Sequence, residues 1–179
     1  ETERALCRAG GDTISRYAEV LSFTRLASRV SSIYGGVCEE YLDEGGRLLT
    51  MYLAAQQVLP NLKYYASAAV KPAFLQQLAA AIEEFLTYCV TPQSLLDAAA
   101  RFEGQLAQKL QELGLLYESY LAVCKTGRGD PVTRLYRLND QLFETDYAAD
   151  KTFFLDGFSD FTAIQLQILQ TLLPQAGVA

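Results

Sequence analysis

A chain of 179 residues, half of them apolar, is long enough for one domain with a proper core. It holds no histidine, which excludes Ser-His and Cys-His catalysis and the usual His-containing zinc sites. A formal net charge of −6 argues against a domain whose main work is to coat nucleic acid.

The predicted elements are mostly helical. Thr2 to Cys7 fits the end of a helix stopped by Gly10-Gly11, and Tyr17-Ala-Glu-Val-Leu-Ser22 reads as a short strand. Ser22 or Thr24 then caps a helix with Leu26, Ala27, Val30 and Ile33 on its apolar side, ending at Gly35-Gly36. Asp43-Glu-Gly-Gly opens the next, from about Arg47 to Leu59, where Pro60 halts it. Residues 62–70 carry no assignable pattern. A further helix starts near Pro72 and aligns Phe74, Leu75, Leu78, Ile82, Phe85 and Leu86, and its neighbour opens at Thr91-Pro92.

From Phe102 to Cys124 the positions Leu106, Leu110, Leu113, Tyr117, Tyr120, Leu121 and Cys124 trace one face of a long helix, a stripe expected to pack into the protein's own core. Gly127 and Gly129 break it, and Asp130-Pro131 restarts a helix bearing Val132, Leu135, Leu138 and Leu142. Thr152 to Asp156 has the continuous apolar run of a strand buried on both faces, with one carboxylate at its end. Thr162-Ala-Ile-Gln165 is a capping box that opens a last helix through Ile164, Ile168, Leu169 and Leu172.

Cys7, Cys38, Cys89 and Cys124 show no Cys-x-x-Cys spacing, so they are expected to be free thiols in a reducing cytoplasm. No apolar run approaches the roughly 20 residues that span a bilayer, and a membrane role is not expected. The chain opens on Glu1 rather than Met, as a piece of a longer protein would.

Val20-Leu-Ser-Phe-Thr-Arg25-Leu-Ala-Ser-Arg-Val30, Lys71-Pro-Ala-Phe74, Tyr88-Cys-Val-Thr-Pro92 and Phe154-Leu-Asp-Gly-Phe158 with Phe161-Thr162 resemble consecutive stations of the AddB family. These are the nuclease-bearing (RexB) subunits of the bacterial AddAB helicase-nuclease. The resemblance implies a mainly α fold with a small parallel β element: a helical insertion subdomain within part of a superfamily 1 helicase-like, P-loop NTPase lobe. Residues 1–36 and 146–179 would form the partial α/β lobe, with strands at about 17–22 and 152–156, and residues 37–145 the inserted helical subdomain.

On that pattern Ser22, Thr24 and Arg25 resemble a motif that meets the backbone of single-stranded DNA, which hydroxyls, helix-start amides and an arginine can hold without reading bases. Asp156 stands at the magnesium-holding position of a motor. Active motors carry a glutamate next to it where this chain has Gly157, so no ATP hydrolysis and no catalytic residue are expected here. The resemblance further implies a parent that uses ATP, Mg and an iron-sulfur cluster bound outside this chain. It implies AddA and DNA as partners, a cytoplasmic place, and a role in processing double-strand breaks for homologous recombination. The fragment itself is expected to be monomeric, with no metal site and no cofactor. The competing expectation is a self-contained helical protein-interaction module with no nucleotide or DNA role.

Overall fold

The computed structural model describes residues 2–11, 13–35 and 40–177. Cys38, Gly36 and the proposed boundary at residues 36–37 lie outside them. Eight α-helices follow in order among the described residues: α1 (Thr2–Gly10), α2 (Phe23–Tyr34), α3 (Glu44–Val58), α4 (Pro72–Thr87), α5 (Pro92–Ala99), α6 (Gly104–Thr126), α7 (Thr133–Glu144) and α8 (Ala163–Leu172).

Local chemistry sets where they begin. Ser22 Oγ accepts the Arg25 N–H at 3.3 Å, so Ser22 and not Thr24 caps α2. Asp43 Oδ1 accepts the Gly46 N–H at 2.7 Å and starts α3 three residues earlier than Arg47. Thr91 and Ser94 close a capping box on α5, and Gln165 Oε1 accepts the Thr162 N–H at 3.0 Å at the start of α8. α4 ends in a Schellman turn, in which Val90 N–H reaches Phe85 C=O at 2.8 Å and Cys89 takes the left-handed conformation with φ 58°.

Apolar faces gather into two clusters. In the first, α3, α4, α5 and α6 bury Met51, Ile82, Leu116, Tyr117 and Tyr120. The second joins α2, α7 and α8 around Val30, Leu138, Leu142, Ile164 and Ile168. Each such side chain removed from water contributes about 1.5–3 kcal/mol before conformational entropy is set against it. α7 therefore shares its core with α2 and α8. Tyr136 of α7 touches both clusters, and its hydroxyl donates to Leu86 C=O at 2.5 Å.

The strands expected at 17–22 and 152–156 do not form, and among the described residues there is no strand. Tyr41 and Gly129 make an isolated parallel bridge. From the expected buried run, Phe153 packs on the second cluster beside Leu21, but Phe154 is 90% exposed and Leu155 48%. A strand buried on both faces needs neighbours that accept its N–H groups and cover its side chains, and among the described residues an isolated bridge position at Thr152 is all the pairing these segments show. The long-helix stripe is also modified. Leu106 is largely exposed, while Glu112 and Ser119 are buried on α6.

Candidate nucleotide and nucleic-acid surface

The four residues singled out from the sequence lie at one end of the second cluster. Phe23, in the first turn of α2, meets Phe158 edge-on at 5.7 Å between ring centroids and Phe161 at 6.4 Å. Phe158 and Phe161 stack at 4.9 Å. Aromatic pairs of this kind contribute about 0.5–1.5 kcal/mol each beyond the area they bury. They clasp the 156–161 loop to the start of α2, so the Asp156 loop and the Ser22–Arg25 turn are neighbours.

The first turn of α1 touches both. Thr2 Oγ1 donates to Asp156 Oδ2 at 3.3 Å, and Glu3 lies 3.6 Å from the Arg25 guanidinium with both side chains about 60% exposed. An ion pair this exposed contributes at most about 1 kcal/mol. Behind it, Arg29 pairs with Glu19 at 2.9 Å, and a cleft of about 500 Å³ opens between α1 and α2, lined by Leu6, Cys7, Leu21, Arg25 and Ser28. Ser22 Oγ is engaged as a cap, and Thr24 presents its carbonyl to the Ser28 hydroxyl at 3.3 Å. Arg25 is thus the long, exposed cation in the first turn of α2.

Gly157 has φ 77°, a conformation that costs a residue with a side chain about 1–2 kcal/mol. Nothing stands within 4 Å of the Cβ that a substitution would add, so the obstacle to a glutamate is backbone strain rather than space.

Asp156 is exposed, and no cluster of three His, Cys, Asp or Glu side chains that could hold a metal exists among the described residues. A single exposed carboxylate does not make a magnesium–nucleotide site. Cys7, Cys89 and Cys124 are free thiols. Among the described residues, no helix is long and apolar enough to cross a membrane.

Two buried acids went unseen in the sequence. Glu112 accepts the N–H groups of Lys63, Tyr64 and Tyr65 at 2.9, 2.8 and 2.9 Å and a fourth bond from the Gln108 amide at 3.1 Å. Burial alone would raise its pKa, but these donors outweigh it and hold the carboxyl below its ordinary value. They fix residues 63–65 of the segment that lacked a sequence pattern, and backbone bonds to Tyr65 C=O and Ala68 C=O turn the rest.

Asp130, with no exposed surface, accepts the Tyr120 hydroxyl at 2.7 Å and the Val132 N–H at 2.9 Å. Arg47 Nε lies 3.1 Å from it, close enough for an ion pair but not aligned as a hydrogen bond, and Arg47 also reaches Glu83 at 2.6 Å. Burial works against the Arg47 charge, yet Glu83 and Asp130 raise its pKa further. The available signals were weak: Glu112 falls on the side of α6 that also carries Leu116 and Ser119, and Asp130-Pro131 announced a turn without announcing its burial.

Fold and surface together define a mainly helical module with a hydroxyl-and-arginine helix start beside an acid-bearing glycine loop. The chain belongs to the family described as ADDB, N-terminal, whose model matches residues 1–178. It is 32% identical over 160 residues to the B subunit of the ATP-dependent helicase/deoxyribonuclease of Thermoanaerobacter sp. (strain X514), a match covering 89% of this chain and 14% of that protein. The proteins of the same name from Moorella thermoacetica and Clostridium tetani are 33% and 31% identical, each over 98% of this chain and 16% of the relative. The chain thus spans about one seventh of the length of the curated relatives it matches.

Proposed function

We propose that the chain is a scaffold portion of an AddB subunit, in a complex with AddA that unwinds and resects double-strand breaks for homologous recombination. In the whole subunit, residues 17–22 and 152–156 would border a motor-like lobe, with ATP, magnesium and the iron-sulfur cluster handled elsewhere. The lobe does not hydrolyse ATP, because the position beside Asp156 is a glycine in a conformation that disfavours glutamate. Its part is to help carry the single strand, with Arg25 and the start of α2 holding phosphates.

The observation that carries this reading is the aromatic clasp of Phe23, Phe158 and Phe161, which sets the Asp156 loop against the Ser22–Arg25 turn in a chain of AddB ancestry. Titration of a labelled single strand at two salt concentrations tests it. Binding is expected to be weak, to fall with salt with a slope of about 0.7 per phosphate neutralised, and to weaken in Arg25→Ala. Strand binding unchanged in Arg25→Ala would remove that residue from the reading, and an ATPase turnover lost in Asp156→Ala would overturn the inactive-lobe assignment.

A further inference from the structure

The helix that touches both Arg25 and Asp156 is itself scarcely held. No residue of α1 is buried, and its nine residues fall short of the roughly 12–15 at which an isolated helix becomes even marginal in water. The side that carries Leu6 and Cys7 faces the cleft of about 500 Å³ against α2, so apolar packing secures it only loosely. Two polar contacts remain, made by adjacent residues of its first turn: Thr2 Oγ1 to Asp156 Oδ2 at 3.3 Å, and the Glu3 carboxylate to the Arg25 guanidinium at 3.6 Å. At the other end Gly11, with φ 70°, donates its N–H to Cys7 C=O at 2.9 Å and turns the chain out of the helix.

The helix dipole favours an acid in a first turn, which accounts for Glu3 being acidic. It does not account for the partners that the first turn takes, which are the cation and the acid of the candidate surface. A carboxylate on Arg25 presents the same oxygen acceptors to the guanidinium that a phosphate would. Whatever anion Arg25 receives must first displace Glu3.

We propose that α1 is an autoinhibitory strap. Closed, it lays Glu3 on Arg25 and Thr2 on Asp156; open, swung about Gly10–Gly11, it bares both. The strap rests on the assignment of Arg25 as a phosphate-holding group and supplies the regulation of that group. A pair this exposed withholds binding by at most about five-fold, a gate that an incoming strand can open by itself.

Two double-variant cycles on the 179-residue chain test it, each variant first checked for native circular dichroism. The first needs no ligand. Amide exchange at residues 6–11 should quicken up to about five-fold in Glu3→Gln and in Arg25→Ala, and no further when the two are combined, because both break one contact. Exchange that is unmoved by either change, or that quickens additively, overturns the strap. The second cycle uses fluorescence anisotropy of a labelled oligothymidine at low salt. Glu3→Gln should tighten binding about two- to five-fold, and the gain should vanish in the Arg25→Ala background. Glu118→Gln, which removes the same charge from an exposed site on α6, should give no such gain. An equal gain from Glu118→Gln, or one that survives Arg25→Ala, would reveal a net-charge effect and overturn the strap. No binding by any form would remove Arg25 as a phosphate holder, a separate failure. The exchange cycle alone then judges the closed contact, with coupling upholding it and additivity overturning it.

Discussion

Replacing Glu112 by Gln removes the charge that holds Lys63, Tyr64 and Tyr65 and leaves a side chain of nearly the same shape. The carboxylate accepts three backbone donors within 2.9 Å, each worth about 0.5–1.5 kcal/mol net and more when the acceptor is charged. Gln keeps one oxygen, which can serve two of these donors, and turns an N–H₂ toward the third. The expected cost is therefore about 1–2 kcal/mol, and about 2–4 kcal/mol for Ala, where all three donors depend on water.

The sign of the pH dependence follows from the depressed carboxyl pKa. Stability contributed by a group whose folded pKa lies below its unfolded one is present above the unfolded value, about 4.3, and is lost as pH falls through the folded value. Urea unfolding of both forms from about pH 6 to about pH 3 should show a gap that narrows as acid is added, with the dependence on urea concentration unchanged. Amide exchange gives the local readout, since protection at residues 63–65 should drop in the variant while that in the α4 core holds. A gap under about 0.5 kcal/mol, or one of constant size across that pH range, would refute the assignment of Glu112 as the ionised anchor of the loop.

Asp130→Asn should cost about 1–3 kcal/mol, because it removes the buried half of the Arg47 ion pair, leaving Glu83 as its carboxylate partner, and weakens the bond from Tyr120; a chain of this length should lose several degrees in Tm. Cys89→Gly should relieve the left-handed strain at the end of α4 and raise stability by up to about 1 kcal/mol, whereas Cys89→Ala keeps the strain, loses the packing of the sulfur and should not. Denaturant midpoints of the two variants decide it. Gly157→Glu should destabilise by about 1–2 kcal/mol through its φ of 77° and leave the chain without ATPase turnover in a coupled assay.

The helices were legible because their signals are local. Ser22, Asp43, Thr91 and Thr162 cap the helices they precede, and the apolar spacing of residues 26–30, 75–86 and 164–172 names faces that are in fact buried. Phe153-Phe154-Leu155 has an equally plain local signal, yet a strand is a property of a pair and no described residue pairs with these three. Buried acids fail for the related reason that their partners are distant. Glu112 is 47 to 49 residues from the amides it holds, so no window along the chain contains both halves of the interaction. The site residues fared in between. Ser22–Arg25 and Asp156 could be named singly, while their juxtaposition depended on three phenylalanines whose contacts cross more than a hundred residues.

That long-range wiring bears on function, because the Arg25 surface belongs to the cluster built on α2, α7 and α8 and must be held at a set angle to the one built on α3 to α6. Besides the ring of Tyr136, polar contacts join the clusters. Tyr136 donates to Leu86 C=O, Asp130 ties the turn before α7 to Tyr120 of α6 and Arg47 of α3, and Leu42 N–H reaches Gly129 C=O at 3.0 Å. Directional bonds of this kind fix an angle that apolar packing alone would leave adjustable. Loosening the Asp130 joint should then let the clusters shift relative to one another while each stays folded. Below the unfolding temperature of Asp130→Asn, amide protection should fall at residues 130–132 and hold in α4 and α8. Unchanged protection at residues 130–132 would mean that apolar packing alone fixes the joint.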